Sequence, residues 1–212
     1  MIKLKKYIYV IAMLVSLMVF TYESSSKEIK FNINDYFNGI QSIEAIFKQT
    51  IFSSENDVID YSEGLFLLKK PDKIMWNFKE PSVKKILVSN QKISTYDKDL
   101  NQLLIIPISD QYQSSLANLL LRNNSLMSYY QVSSETLKEN MYSVVLVKKE
   151  SNILFIRMKI TIVEMLLTEI KLWDNNGQYI EITFDNTILN SSLSDASFEF
   201  SIPNGTDVFD HT

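Results

Sequence analysis

The sequence predicts a mainly β protein: a single antiparallel sheet of about eleven strands, curled into a barrel or half-barrel and covered on its concave face by helices. Three observations carry this. Short runs in which apolar and polar residues alternate follow one another from Ser42 to Asn186, the period of strands with one greasy face. The links between them, such as Asn90-Gln91, Asp97-Lys98-Asp99 and Asn175-Asn176-Gly177, have hairpin length, which makes sequence neighbours antiparallel neighbours. The pattern switches to helical spacing in mid-chain, after Pro107. A helix with an apolar face and no helical partner must bury that face against the sheet.

The elements follow in order. Residues Lys27 to Gly39 predict a short helix with Phe31, Tyr36, Phe37 and Ile40 on its apolar side, Asn34 as its cap and Gly39 as its stop. Ile43, Ala45, Phe47, Gln49 and Ile51 then alternate with polar residues as a strand, and Ser53 to Asp57 turn the chain. The stretch Gly64 to Pro81 organises the rest. Leu65 to Leu68 is a continuous apolar run, Lys69-Lys70-Pro71-Asp72 breaks it, and Ile74, Trp76 and Phe78 alternate after it. Pro71 has no N–H for a ladder and biases Lys70 toward extended geometry. Strands at Val83–Ser89, Lys92–Asp97 and Leu100–Ile106 continue the meander. Ser109-Asp110 caps a helix from Gln111 to Arg122, with Tyr112, Leu116, Leu119 and Leu120 at helical spacing and Leu121 on the far side. A second helix spans Ser125 to Tyr130. Strands resume at Gln131–Leu137, Tyr142–Lys149, Ile153–Thr161, Leu167–Asp174 and Gln178–Asn186, and Phe198-Glu199-Phe200 is read as the last. Only four glycines occur, so Asn, Asp and Ser make most of the turns.

Composition excludes several function classes. The formal charge is −4, which argues against nucleic-acid binding through a basic footprint. There is no cysteine, hence no disulfide, thiolate metal site or cysteine nucleophile. The single histidine, His211, is one residue from the end and reads as an ordinary solvated side chain. Without His or Cys to activate a nucleophile, triad chemistry has no basis. The carboxylate pairs Asp57/Asp60 and Asp207/Asp210 fall in turn-like or terminal segments and read as solvated charges. No enzyme signature is present, and no cofactor or metal is expected.

The N-terminus carries its own signal. Lys3, Lys5 and Lys6 precede an apolar run, Tyr7 to Phe20, followed by Ser24-Ser25-Ser26. This is the pattern of a secretory signal peptide over residues 1–26, leaving 27–212 as one domain. The rival is a retained membrane anchor, but 14 residues fall short of the ~20 that span a bilayer. Cleavage removes three lysines and Glu23, taking the formal charge from −4 to −6.

Several stretches together resemble the outer-membrane lipoprotein carrier protein family, LolA. They are A-I-F-K-Q-T (Ala45–Thr50), K-K-P-D-K-I-M-W-N-F (Lys69–Phe78), I-L-V-S-N (Ile86–Asn90) with Tyr96-Asp97, L-L-L-R-N (Leu119–Asn123) and F-E-F-S-I-P-N-G-T-D-V-F-D (Phe198–Asp210). No block alone is diagnostic; their joint order is. The resemblance implies a single unclosed antiparallel β-barrel with a helical lid. It also implies a monomeric periplasmic chaperone that binds triacylated lipoproteins, receiving them from an inner-membrane lipoprotein-releasing ABC transporter and handing them to an outer-membrane lipoprotein receptor. The family receptor is itself acylated on cysteine, so a cysteine-free chain resembles the soluble shuttle. An envelope lipid-sensing module on the same half-barrel and an exported enzyme on a barrel scaffold are the alternatives.

The same resemblance suggests a site. Its acyl-chain cavity would take Leu68, Ile74, Trp76 and Phe78 from the organising hairpin and Leu116, Leu119, Leu120 and Met127 from the lid. Plain core packing accounts equally well for any one of them. The family arginine that contacts the lid, directly before the motif proline, is replaced by Lys70, which keeps the charge and loses the planar fork. The family's cavity aromatic maps to Ile74.

Overall fold

The computed structural model describes residues 31–108, 116–121, 125–150, 153–199 and 201–212. The expected signal segment, the start of the first helix and the Ser109-Asp110 cap lie outside them, as do residues 111–115, 122–124 and 200. Helix α1 (Ile33–Gly39) leads into β1 (Ser42–Phe52), β2 (Val58–Lys69), β3 (Lys73–Glu80), β4 (Lys84–Ser89), β5 (Lys92–Asp97) and β6 (Gln102–Pro107). Helices α2 (Leu116–Leu121) and α3 (Ser125–Tyr129) follow. The chain returns through β7 (Tyr130–Lys138), β8 (Met141–Lys148), β9 (Arg157–Val163), β10 (Leu166–Trp173) and β11 (Tyr179–Leu189), a 3-10 turn at Asp195–Phe198, and β12 (Asp207–Asp210).

The twelve strands form one sheet in the order β12-β6-β5-β4-β3-β2-β1-β11-β10-β9-β8-β7. The order is open, so β12 and β7 are edges and the barrel does not close, as the sequence predicts. Two meanders of consecutive hairpins meet where β1 pairs with β11, with Phe47 opposite Phe184. Every pairing is antiparallel except β12 on β6, which is parallel.

Side-chain direction follows from register. On β1 to β4 the inward residues include Ile43, Ala45 and Phe47, then Phe66 and Leu68, Ile74 and Trp76, and Ile86 and Val88. They join α1, α2 and the inner faces of β8 to β11 in one core. The unbroken run Leu65–Leu68 has a separate cause: Leu67 faces outward, where Met75 and Phe198 cover it and Leu65, Leu87 and Leu193 pack around. A strand buried on both faces loses its alternation.

Three expectations are corrected. Asn32, not Asn34, caps α1: its Oδ1 accepts the N–H groups of Asn34 at 2.9 Å and Asp35 at 3.2 Å. Strand β9 starts at Arg157 rather than Ile153: the connection before it buries Ile153 and leaves Leu154 at the surface, off the strand's alternation. Leu121, like Leu119 and Leu120, is buried, so apolar packing extends around much of α2. Phe198-Glu199-Phe200 is not the last strand. Ser194 Oγ caps the turn at Ala196 N–H (3.2 Å), and Asp195 is gripped by Lys69 at 2.8 Å and Lys73 at 2.9 Å. This delivers Phe198 to the outer cluster, and the last strand is the later D-V-F-D, set by a Gly205 turn at φ +84° and by Asn101 Nδ2 donating to Gly205 O at 2.8 Å.

Gly64 sits at a register shift between β2 and β3. A Cβ there would lie 2.0 Å from Asn77 O and 2.9 Å from Phe78 Cα, so only glycine admits the β3 backbone. Replacing Gly64 with Ala is expected to lower unfolding free energy by about 3 kcal/mol, read as a fall in urea midpoint at constant m-value.

Candidate functional site: an apolar cavity under the lid

A cavity of about 460 Å³ lies between the lid and the inner face of the sheet. Its wall draws on strands that are far apart in the sheet, from Leu104 and Ile106 on β6 to Leu172 on β10. The sheet must therefore curl to bring them together. Leu116 and Leu121 of α2 form the roof, and Leu154 and Phe155 of the β8–β9 connection close one side. Leu104 and Leu154 also reach solvent, at 40% and 54% exposure, which marks them as its rim.

Of the eight residues expected at an acyl site, Trp76 and Leu116 line this cavity. Leu68, Ile74, Leu119 and Leu120 belong to the packed core, and Phe78 and Met127 pack against it. The sequence reading missed Ile86, Val88, Ile93, Leu104, Ile106 and Ile182, all on the wall. Their signal was present: on β4, β5, β6 and β11 they hold alternate positions, the inward phase of each strand.

Beneath the cavity is an aromatic cluster. Phe66 and Trp76 are opposite on β2 and β3 with ring centroids 4.4 Å apart, and Phe47 meets Trp76 edge-on at 4.8 Å and Phe78 at 5.1 Å. Each such pair adds roughly 0.5–1.5 kcal/mol beyond its burial. The cluster holds the indole rigid at the floor.

Lys70 lies at the corner after β2. Its Nζ donates to Phe37 O at 2.6 Å in the last turn of α1, a carbonyl that also accepts the Ile40 N–H at 3.3 Å. Burial holds its ammonium below the usual lysine range. Asn190 secures the same end, accepting Gln41 N–H at 2.7 Å and donating to Gly39 O at 3.4 Å. Tyr130 lies fully buried at the start of β7, and its hydroxyl donates to Phe155 O at 3.1 Å, positioning that side of the cavity. Burial pushes this phenol up to about 12, and burial likewise raises Tyr36 and Tyr142.

Asp57 and Asp60 are exposed in and after the β1–β2 turn, and Asp207 and Asp210 are exposed on β12. His211 extends that strand, its N–H donating to Ile105 O at 2.9 Å. Among the described residues no three potential metal-ligating side chains gather, and no helix is long and apolar enough to cross a membrane.

An open sheet with helices over a mostly apolar hollow is the architecture the described residues define. The comparisons name the family. The model of the outer membrane lipoprotein carrier protein LolA matches residues 38–201, and the chain belongs to that family. The outer-membrane lipoprotein carrier protein of Methylobacillus flagellatus is 26% identical over 177 residues, 84% of this chain and 86% of that one. The protein of that name from Idiomarina loihiensis is 26% identical over 209 residues, 99% of this chain and 100% of that one. Among solved structures, an uncharacterized conserved protein from Thermus thermophilus shares the fold at TM-score 0.54 and 14% identity, covering 84% of this chain and 96% of that one.

Two outcomes test the geometry. Lys70→Met leaves Phe37 O without its ammonium and is expected to destabilise by about 1–2 kcal/mol, while Lys70→Arg is expected to retain most of that stability in chemical denaturation. For Tyr130 the folded pKa of about 12 exceeds the unfolded value near 10. Its contribution is therefore complete below pH 10 and is lost as pH rises through about 12. Between about pH 9 and 12 the urea midpoint of Tyr130→Phe should fall less than that of the parent protein.

Proposed function

We propose that this chain is a periplasmic carrier that takes the acyl chains of triacylated lipoproteins leaving the inner membrane and delivers them to an outer-membrane receptor. The observation that supports it most is the hydrocarbon-lined cavity under a helical roof, on a chain of the lipoprotein carrier family. The donor is an inner-membrane lipoprotein-releasing transporter. The carrier works as a monomer after its signal segment is removed, and it catalyses no reaction.

The energetics suit a shuttle. Burying a methylene stabilises by about 0.8 kcal/mol. Taking a methylene as comparable to a water's ~30 Å³ share of the liquid, about 460 Å³ holds roughly fifteen of them, close to one long acyl chain. Three chains need more room, so loading must lift α2 and α3 away from the sheet. Leu116, Leu119, Leu120 and Leu121 are buried against the core when the lid is down. Cargo and lid therefore compete for one surface, and release needs no nucleotide on the carrier. In this reading Lys70 is the latch: it ties the β2–β3 corner to α1, whose Phe37 shares a core with the lid leucines. Leu68, Ile74, Phe78 and Met127 join the acyl-binding surface as the lid lifts.

Native mass spectrometry of the protein purified from the envelope is expected to show bound triacylated lipoprotein. Free lipid alone would point to a lipid sensor, and an empty protein would overturn the carrier reading. Ile86→Trp fills part of the cavity and should reduce lipoprotein release from spheroplasts at least about ten-fold, with the far-UV circular dichroism of the parent.

A further inference from the structure

The cavity is not uniformly hydrocarbon. Besides the Trp76 indole, two of its described lining residues have polar side chains: Gln49 on β1 and Thr95 on β5. Gln49 follows Ile43, Ala45 and Phe47 in the inward phase of its strand, opposite Ser62 on β2 and Ile182 on β11. It is half-buried. Among the described residues no group bonds to its carboxamide. The fully enclosed side-chain polar atom without a partner is Ser191 Oγ; the Gln49 amide is open to the cavity instead.

An amide in that position keeps its hydrogen bonds while water reaches it. A purely hydrocarbon occupant displaces the water and leaves the N–H groups unmatched, a loss that opposes binding. An occupant with a carbonyl at that level replaces the water. Sites with an unmatched donor select in this way against analogues lacking the acceptor.

Strand register fixes the polarity of the bound chain. The row of Phe47, Gly64 and Phe78 lies on one side of the Trp76–Ile86–Thr95–Leu104 row, and Ile74, Val88, Ile93 and Ile106 lie on the other. Gln49 sits two residues beyond Phe47, so it marks one end of the hollow and Val88 and Ile93 mark the other. The six residue steps from Ile43 to Gln49 span about 20 Å.

Building on the carrier reading, we infer that Gln49 is the subsite for the carbonyl linkage of a long-chain acyl ester or amide. The amide N–H donates to the ligand C=O, and the methyl end points toward Val88 and Ile93. The cavity thereby distinguishes acylated molecules from alkyl chains of equal length.

A matched pair of ligands tests this. 1-Palmitoylglycerol carries the ester carbonyl, and 1-O-hexadecylglycerol is its ether counterpart without it. Each competes with diphenylhexatriene, a probe with no polar group, for the intact mature protein. The wild type is expected to prefer the ester about ten-fold. Gln49→Leu should abolish that preference by raising affinity for the ether, since the unmatched amide is gone, and by lowering affinity for the ester. Gln49→Met, which keeps the length and removes the donor, gives the same reading if the leucine variant folds poorly. An ester preference that survives in the folded Gln49 variants, or is absent from the wild type, overturns the subsite while leaving the carrier intact. A wild-type protein that takes up neither probe nor ligands overturns both.

Discussion

The constraint on which this structure depends is that a curled open sheet has more oily inner surface than its own side chains can fill. Both meanders of the chain aim one phase of every strand at the same hollow. Closing the barrel would bring the walls together and let them interdigitate. Leaving β12 and β7 as separate edges keeps the walls apart, and the remaining surface must be covered by something that is not sheet. Here the cover is α1 on one side and α2 with α3 on the other. Because α2 and α3 are short, isolated helices of their length have no independent stability in water. Their conformation is held by the surface they cover.

The sequence made much of this legible, for identifiable reasons. Strands with one wet face kept their period of two, so β1, β5 and β11 could be read directly. Hairpins with Asn, Asp or Gly at their tips were equally clear; Asn90 and Gln91 both take positive φ, at 52° and 60°, as a two-residue turn requires. The end of the chain was opaque because its signal was non-local. Phe198-Glu199-Phe200 has a strand's pattern, and only the convergence of Lys69 and Lys73 on Asp195 turns it into a 3-10 segment. D-V-F-D is exposed on every residue and carries no burial pattern; it is a strand because Asn101 and the free edge of β6 are there to receive it.

The site was half legible for a related reason. Trp76 and the lid leucines stand out as large apolar residues near a corner and on a helix. Which of them reach the hollow depends on curvature, which no local pattern encodes. Leu68 and Ile74 sit near the middle of the sheet and are covered completely, whereas Ile86, Val88 and Ile93 lie nearer its β12 end and line the hollow. Size and hydrophobicity identify the candidates; position across the sheet decides between core and cavity wall.

Curvature also bears on the lysine at the corner. A planar arginine fork fixes the direction of every bond it makes, while an ammonium is a compact charge on a flexible stem with no plane to enforce. Lys70 brings that charge to Phe37 O on α1, so the corner is joined to the cover that stays with the core. Burial opposes the charged form at the same place, which offsets part of what the carbonyl contact contributes. A contact without enforced geometry, made by a charge that burial disfavours, yields more readily than a fork would.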